Sequence, residues 1–393
     1  MISLPELDKA RFFMNPSVAP AGPYPEAAAK ILNRAGLAAA RAAITGWEGY
    51  APTPLAALDG LAGQAGLARI WIKDESRRFG LGSFKPLGGA YAVARLVARE
   101  GSDITVCCAT DGNHGRSVAW GAGRFGCRCV IYIHEHVSRG RQAAIEAYGA
   151  EVRRVAGNYD DSVHKAAADA AANGWFVVSD TSYPGYMEIP RDVMHGYMLM
   201  AEEAIAQLPA GERPSHVFVQ GGVGGLAAAV AAQCWLHYGA DAPRVVVVEP
   251  DKAACLFESA RSGRPVRVTG ALDTLMAGLA AGEVSLLAWQ ILESATTAFM
   301  TVPDAAAVAA MRLLAEGVGG DAPLVAGESA LAGLVGALAA KADPAWAADL
   351  KLDADSRVML ISSEGATDPE LYREIVGPAA EALLAQEELK SPE

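Results

Sequence analysis

Lys85 lies in the run Ser76 to Gly89 and is the only lysine between Lys73 and Lys165. Phe84 precedes it, and Pro86, Leu87 and the pair Gly88-Gly89 follow. An amine in apolar, glycine-rich company suits Schiff-base chemistry, because desolvation lowers a lysine's pKa and frees its nitrogen as a nucleophile. Taken alone, the same residue reads as a solvent-facing lysine at a helix start. Motifs further along the chain reverse that balance.

The first is Thr110-Asp111-Gly112-Asn113-His114-Gly115, between a strand end and a helix start. Open α/β sheets bind their ligands at such positions. The backbone N–H groups there suit a carboxylate, Asn113 suits a phenolic oxygen, and Asp111 suits an acid or base. Capping alone would need only one of these side chains. A second turn, Ser179-Asp180-Thr181-Ser182-Tyr183-Pro184, brings Asp180 to the same sheet edge as Asp111, so two carboxylates could flank one substrate carbon. An Asx-turn before Pro184 is the plain alternative. Ser83, Thr110, Gly112, His114 and Tyr183 are the candidate substrate contacts.

The third motif is Gln220-Gly221-Gly222-Val223-Gly224-Gly225, again between strand and helix. Its glycines let backbone close on a phosphate, and the helix dipole favours the charge. Gly222, Gly224 and Ala227, with Glu249 ending the next strand, also match a dinucleotide fingerprint. A hydride-transferring enzyme would leave Lys85 and the Asn113 turn without work. Pyridoxal 5'-phosphate uses all three: Lys85 for the aldehyde, Gly221, Gly222, Val223, Gly224 and Gly225 for the phosphate, and Asn113 for the ring hydroxyl, with Phe84 beside it. Ser362-Ser363 follows the last strand and offers a neutral hydroxyl to the pyridine nitrogen, which weakens the electron sink and suits β-elimination.

These motifs need strand ends to carry them. β-Branched runs at residues 104–109, 129–133, 152–155 and 175–179 alternate with helical segments at 114–125, 139–148 and 160–172, which implies a parallel sheet with right-handed crossovers. A second set follows, with a helix over 193–207, strands at 216–220, 244–249 and 357–361, and a helix over 226–237. The expected architecture is α/β, two three-layer domains with mostly parallel sheets and the cofactor in the cleft between them. The large domain is expected over 1–88 and 193–393 and the small, mobile one over 89–192. Residues 341–356 read as a surface connection.

With 393 residues, 52% hydrophobic and 20% charged, the chain is long enough for two well-packed domains. Its 33 basic and 45 acidic residues give a net charge of −12, which argues against nucleic acid as a partner. None of the six cysteines falls in a CxxC pattern, and no metal site is expected. His134-Glu135-His136 looks ligand-like, but side chains two apart at a strand end diverge. His195 and His237 read as packing residues, and Lys165 and Lys252 as surface lysines. The N-terminus lacks a basic-then-apolar leader and no stretch is long enough for a membrane helix, so a cytoplasmic location is expected.

With these residues in view, the chain resembles the diaminopropionate ammonia-lyase family of fold-type II pyridoxal-phosphate enzymes. The resemblance rests on Arg78-Phe79-Gly80-Leu81, Phe84-Lys85, Gly88-Gly89, Thr110 to Gly115, Asp180-Thr181, Gly185-Tyr186, Ile189-Pro190, Glu249 to Lys252, Met276 to Ala280 and Ser362 to Pro369. It implies that Lys85 carries the cofactor as a Schiff base. It also implies that Asp111 is the base for one enantiomer of a small amino-acid substrate and Asp180 for the other. A homodimer is implied too. The implied reaction is elimination of 2,3-diaminopropionate to pyruvate and two ammonia. A serine/threonine or hydroxyaspartate dehydratase is the alternative on the same fold, and an NAD-binding oxidoreductase the distant one. The chain departs from the family pattern at Pro184, His195 and Ala281, the last leaving Cys255 without a partner, and in a shorter segment between Lys85 and Asp111.

Overall fold

The structure, a computed structural model, describes residues 2–110, 112–157, 159–377, 380–383 and 385. Its strands are β1 (Arg11–Met14), β2 (Leu55–Ala57), β3 (Arg69–Asp74), β4 (Thr105–Ala109), β5 (Arg128–His134), β6 (Glu151–Val155), β7 (Phe176–Val177), β8 (His216–Gln220), β9 (Arg244–Pro250), β10 (Ala298–Val302) and β11 (Arg357–Ser362). Seven of them form one sheet in the order β1-β10-β9-β8-β11-β3-β2, and four form a second in the order β6-β5-β4-β7. Only the edge strands β1 and β2 run antiparallel to their neighbours. Parallel strands need crossovers, and helices supply them.

β9 explains why an unbroken apolar run is a strand here. Val245 and Val247 enter the core on one face of the large sheet, and Val246 and Val248 enter the core on the other. A strand covered on both faces has no reason to alternate with polar residues. One face packs on the helices Glu188–Ala206 and Gly225–Tyr238, the other on Asp304–Glu316 and Ala332–Ala342.

Several elements differ from expectation. β1, β2, β3 and β10 lie where no strand was read. The Glu188–Ala206 helix begins five residues before position 193, with Pro190 inside its first turn, where a missing N–H costs nothing. β7 is a two-residue strand, shorter than the expected 175–179, although Val178 N still bonds the Cys107 carbonyl of β4 at 2.8 Å. Residues 341–356 are not a plain connection: Pro344–Leu350 is a helix whose first amides bond the Asp343 carboxylate, and Leu350 and Leu352 are buried.

Candidate active site

Lys85 stands immediately before the Pro86–Glu100 helix, at the end of a turn fixed from below by buried charge. Arg78 donates to both Glu75 and Glu203, with Nη2 to Glu203 Oε2 at 2.6 Å and Nε to Glu75 Oε2 at 2.8 Å. Lys73 joins Glu203 at 2.9 Å. All four side chains are buried, so each charge requires the others. Above this network Phe79 takes a left-handed φ of 53°, an uncommon choice for a non-glycine residue.

Lys85 Nζ lies 2.6 Å from Asp180 Oδ2. Burial alone would lower the lysine, but the Asp180 charge outweighs it and holds the amine above its ordinary pKa. The expectation of a depressed lysine is therefore corrected: in this arrangement Lys85 is an ammonium. Burial likewise would raise Asp180, yet the Lys85 charge, with His114 assisting, holds it well below the carboxylate range.

Four buried polar atoms of the candidate site have no hydrogen-bond partner of full geometry among the described residues. They are Ser83 Oγ, His114 Nδ1, Tyr197 Oη and, at the end of β11, Ser362 Oγ. His114 Nε2 meets the Val178 carbonyl at 2.8 Å, and a carbonyl only accepts, so that nitrogen carries hydrogen. Its Nδ1 faces Asp180 Oδ2 at 3.9 Å.

The Gly221–Gly225 loop leaves β8 and opens the Gly225–Tyr238 helix. The Val223 carbonyl accepts from Ser285 N at 2.9 Å and the Gly222 carbonyl from Cys255 Sγ at 3.5 Å. The first amides of a helix have no partners within it, so the loop and helix start are suited to an anion. Gly224 has φ +100°, and a Cβ on Gly221 would come within 2.6 Å of Leu256 Cδ1. Ser285 Oγ also bonds Ser182 Oγ at 2.7 Å, which ties the Asp180 turn to the glycine loop.

Other expected residues fall into place differently. Thr110 Oγ1 accepts from Gly112 N and Gly115 N, so it staples its own turn. Asp111 lies outside the described residues. The Asn113 amide nitrogen donates to Glu364 and its oxygen accepts from Arg116 at 3.1 Å, which orients the amide. Tyr183 is half exposed and stacks on Tyr186. Ser363 Oγ accepts from Gln220 at 2.7 Å. Phe84 packs on Tyr197 with ring centroids 4.6 Å apart.

Residues not foreseen also belong here. Tyr197 and Glu364 are two. Arg141, from the Arg139–Glu146 helix, is a third: it meets Glu328 at 2.7 Å and Asp368 at 3.5 Å. Their signal lies in contacts between segments far apart in sequence, which spacing does not reveal.

Glu249 decides against the dinucleotide reading. It is fully buried, and its two oxygens accept from Leu256 N and Phe257 N at 2.8 and 2.6 Å. A carboxylate so used cannot hold a ribose. Among the described residues no cluster of three or more metal-ligating side chains occurs, and no helix is long and apolar enough to cross a membrane.

The family of pyridoxal-phosphate dependent enzymes matches residues 47–364. A diaminopropionate ammonia-lyase of Escherichia coli (strain K12) is 41% identical over 357 residues, covering 85% of this chain and 89% of that protein. The chain belongs to the diaminopropionate ammonia-lyase family. Two solved structures of the Escherichia coli family member agree throughout. The holo enzyme superposes with TM-score 0.88 at 37% identity, covering 96% of this chain and 97% of that one. The complex with an aminoacrylate-PLP azomethine reaction intermediate superposes with TM-score 0.87 at 38% identity, covering 95% and 97%. The fold-type II architecture and the pyridoxal phosphate expected from the residues are those of this family, and the family's lyase chemistry outranks the NAD reading. The buried hydroxyls without partners, the glycine cradle and the lone Lys85 amine fit that cofactor.

Proposed function

We propose that this chain eliminates ammonia from 2,3-diaminopropionate, so that one substrate and one water give pyruvate and two ammonia. The carrying observation is the part-buried Lys85–Asp180 pair at the end of the glycine cradle, in a chain 41% identical to a diaminopropionate ammonia-lyase. Bound pyridoxal phosphate supplies an electrophilic aldehyde and an electron sink that acidifies the substrate Cα.

The protein supplies the rest. The amides from Gly221 to Gly225 and the helix dipole hold the phosphate. Asn113, oriented by Glu364 and Arg116, presents its remaining amide hydrogen to the ring oxygen. Ser362 and Ser363 offer hydroxyls to the ring nitrogen. The turn from Thr110 to His114, with Ser83, receives the substrate carboxylate. Chemistry that takes the ammonium charge off Lys85 also removes what holds Asp180 down. Burial then pushes Asp180 towards the basicity needed to take the Cα proton. Asp111 serves the other enantiomer. The amine leaves from Cβ, and free 2-aminoacrylate hydrolyses in water.

We place the large domain at 1–88 and 193–393 and the small domain at 89–192, a division favoured by β4–β7 forming a sheet of their own. A homodimer in the cytoplasm is the accompanying expectation, and six free cysteines suit a reducing compartment.

Lys85→Ala tests the assignment. The variant should lose both pyruvate formation and the visible absorbance of the lysine-bound cofactor. Retention of either at the wild-type level overturns it.

A further inference from the structure

Asp180 faces two demands. In the arrangement described here it neutralises the Lys85 ammonium at 2.6 Å. As a base it must instead face the substrate Cα, and a carboxylate held in an ion pair is a weak base. When the substrate amine replaces Lys85 at the aldehyde carbon, one C–N linkage forms as another breaks. Two protons then pass from the substrate nitrogen to the Lys85 nitrogen, which leaves as a primary amine. That amine needs a partner other than Asp180.

Tyr197 is built to be that partner. Its ring fills a slot between two helix starts: a Cβ on Gly88 would come within 2.4 Å of Tyr197 Cε1, and one on Gly225 within 4.0 Å of Cε2. Phe84 closes the slot, with ring centroids 4.6 Å apart. The ring centroid lies 5.9 Å from Lys85 Nζ. Tyr197 is 1% exposed, and its hydroxyl has no hydrogen-bond partner of full geometry among the described residues. A buried phenol hydroxyl normally finds one. That hydroxyl nevertheless acts on the Lys85 amine and helps to raise its proton affinity, after the larger contribution of Asp180. Among the described residues, the other titratable groups that sense Lys85 are His114 and Cys108. His114 is tied through Nε2 to Val178, and Cys108 is a buried thiol with its pKa pushed up by burial.

We propose that the Tyr197 hydroxyl is the positioning group that receives the Lys85 amine when it leaves the aldehyde, freeing Asp180 to act as the base. The proposal rests on the lyase reading, but one of its readouts does not.

Tyr197→Phe keeps the ring in its slot and removes only the hydroxyl. The cofactor-free full chain is mixed with pyridoxal phosphate at pH 8, and capture is followed by absorbance. Separately, the reconstituted enzyme is assayed for pyruvate from diaminopropionate. Without the hydroxyl, more Lys85 is uncharged, so capture should speed up roughly three- to tenfold, while turnover falls roughly tenfold, the size of one hydrogen bond. Opposite movements support the proposal. Slowing of both marks a structural role and overturns it, as does no change in either. Faster capture with no turnover by either the wild type or the variant would sink the lyase reading while leaving the Tyr197–Lys85 contact supported.

Discussion

Lys85 Nζ and Asp180 Oδ2, 95 residues apart in sequence, meet at 2.6 Å where the Asp180 turn faces the start of the Pro86–Glu100 helix. Each group sets the other's charge. The ammonium holds the carboxylate ionised against burial, and the carboxylate holds the amine protonated against burial. Removing one charge therefore alters the chemistry of both.

Asp180→Asn tests the base. General acid–base groups contribute about 10²–10⁴-fold, so pyruvate formation from one enantiomer of diaminopropionate should fall by that order while the other is affected less. Equal, small losses for both enantiomers would remove Asp180 from the proton transfer.

Gly224, in the loop proposed to hold the phosphate, has φ +100°, and a Cβ there would meet Leu292 Cδ1 at 3.0 Å and Ala288 Cβ at 3.2 Å. A left-handed conformation costs an L-residue about 1–2 kcal/mol. Gly224→Ala should therefore lower the denaturation midpoint and weaken pyridoxal-phosphate affinity, measured by absorbance titration. Wild-type affinity would show that the loop backbone does not hold the phosphate.

Arg78 ties the Lys85 turn to the Tyr197 helix through Glu203. Its loss leaves Glu75 and Glu203 with an uncompensated charge, and breaking a buried pair costs about 3–5 kcal/mol. Arg78→Ala should lose stability of that order in urea. A loss no larger than that of an exposed arginine such as Arg267 would show that the network is compensated elsewhere.

Glu328 gives a pH dependence. Burial, then the Glu364 charge, pushes its carboxyl up to about 7, with Arg141 opposing. An unfolded glutamate titrates near pH ~4.3. Between those values the folded chain holds the extra proton, so this residue's contribution is full below pH ~4.3 and is lost as pH rises through about 7. Urea midpoints at pH 5 and pH 7.5 should differ less for Glu328→Gln than for the wild type. Parallel slopes would mean that Glu328 titrates normally.

Much of the candidate site was legible because the chemistry proposed for it is local. Lys85, the Asn113 turn and the Gly221–Gly225 loop each declare themselves within six residues, since glycine and turn chemistry are local properties. Tyr197 did not, because a tyrosine inside an amphipathic helix reads as core, and only the juxtaposition of Gly88, Gly225 and Lys85 gives its hydroxyl a role. Glu364 read as part of a turn until Asn113, 251 residues earlier, was found to donate to it. Glu249 misled in the opposite way: its spacing suits a ribose, while two backbone amides on the next helix already occupy it. β1 and β2 escaped because three- or four-residue antiparallel edge strands carry little periodicity.

The most direct test is product stoichiometry from the purified, cofactor-loaded chain given D- and L-diaminopropionate, with serine and threonine as controls. Two ammonia per pyruvate from diaminopropionate, with little product from the hydroxy amino acids, is the predicted result. One ammonia per keto acid from serine or threonine, with diaminopropionate inert, would contradict it and move the chain to the dehydratases.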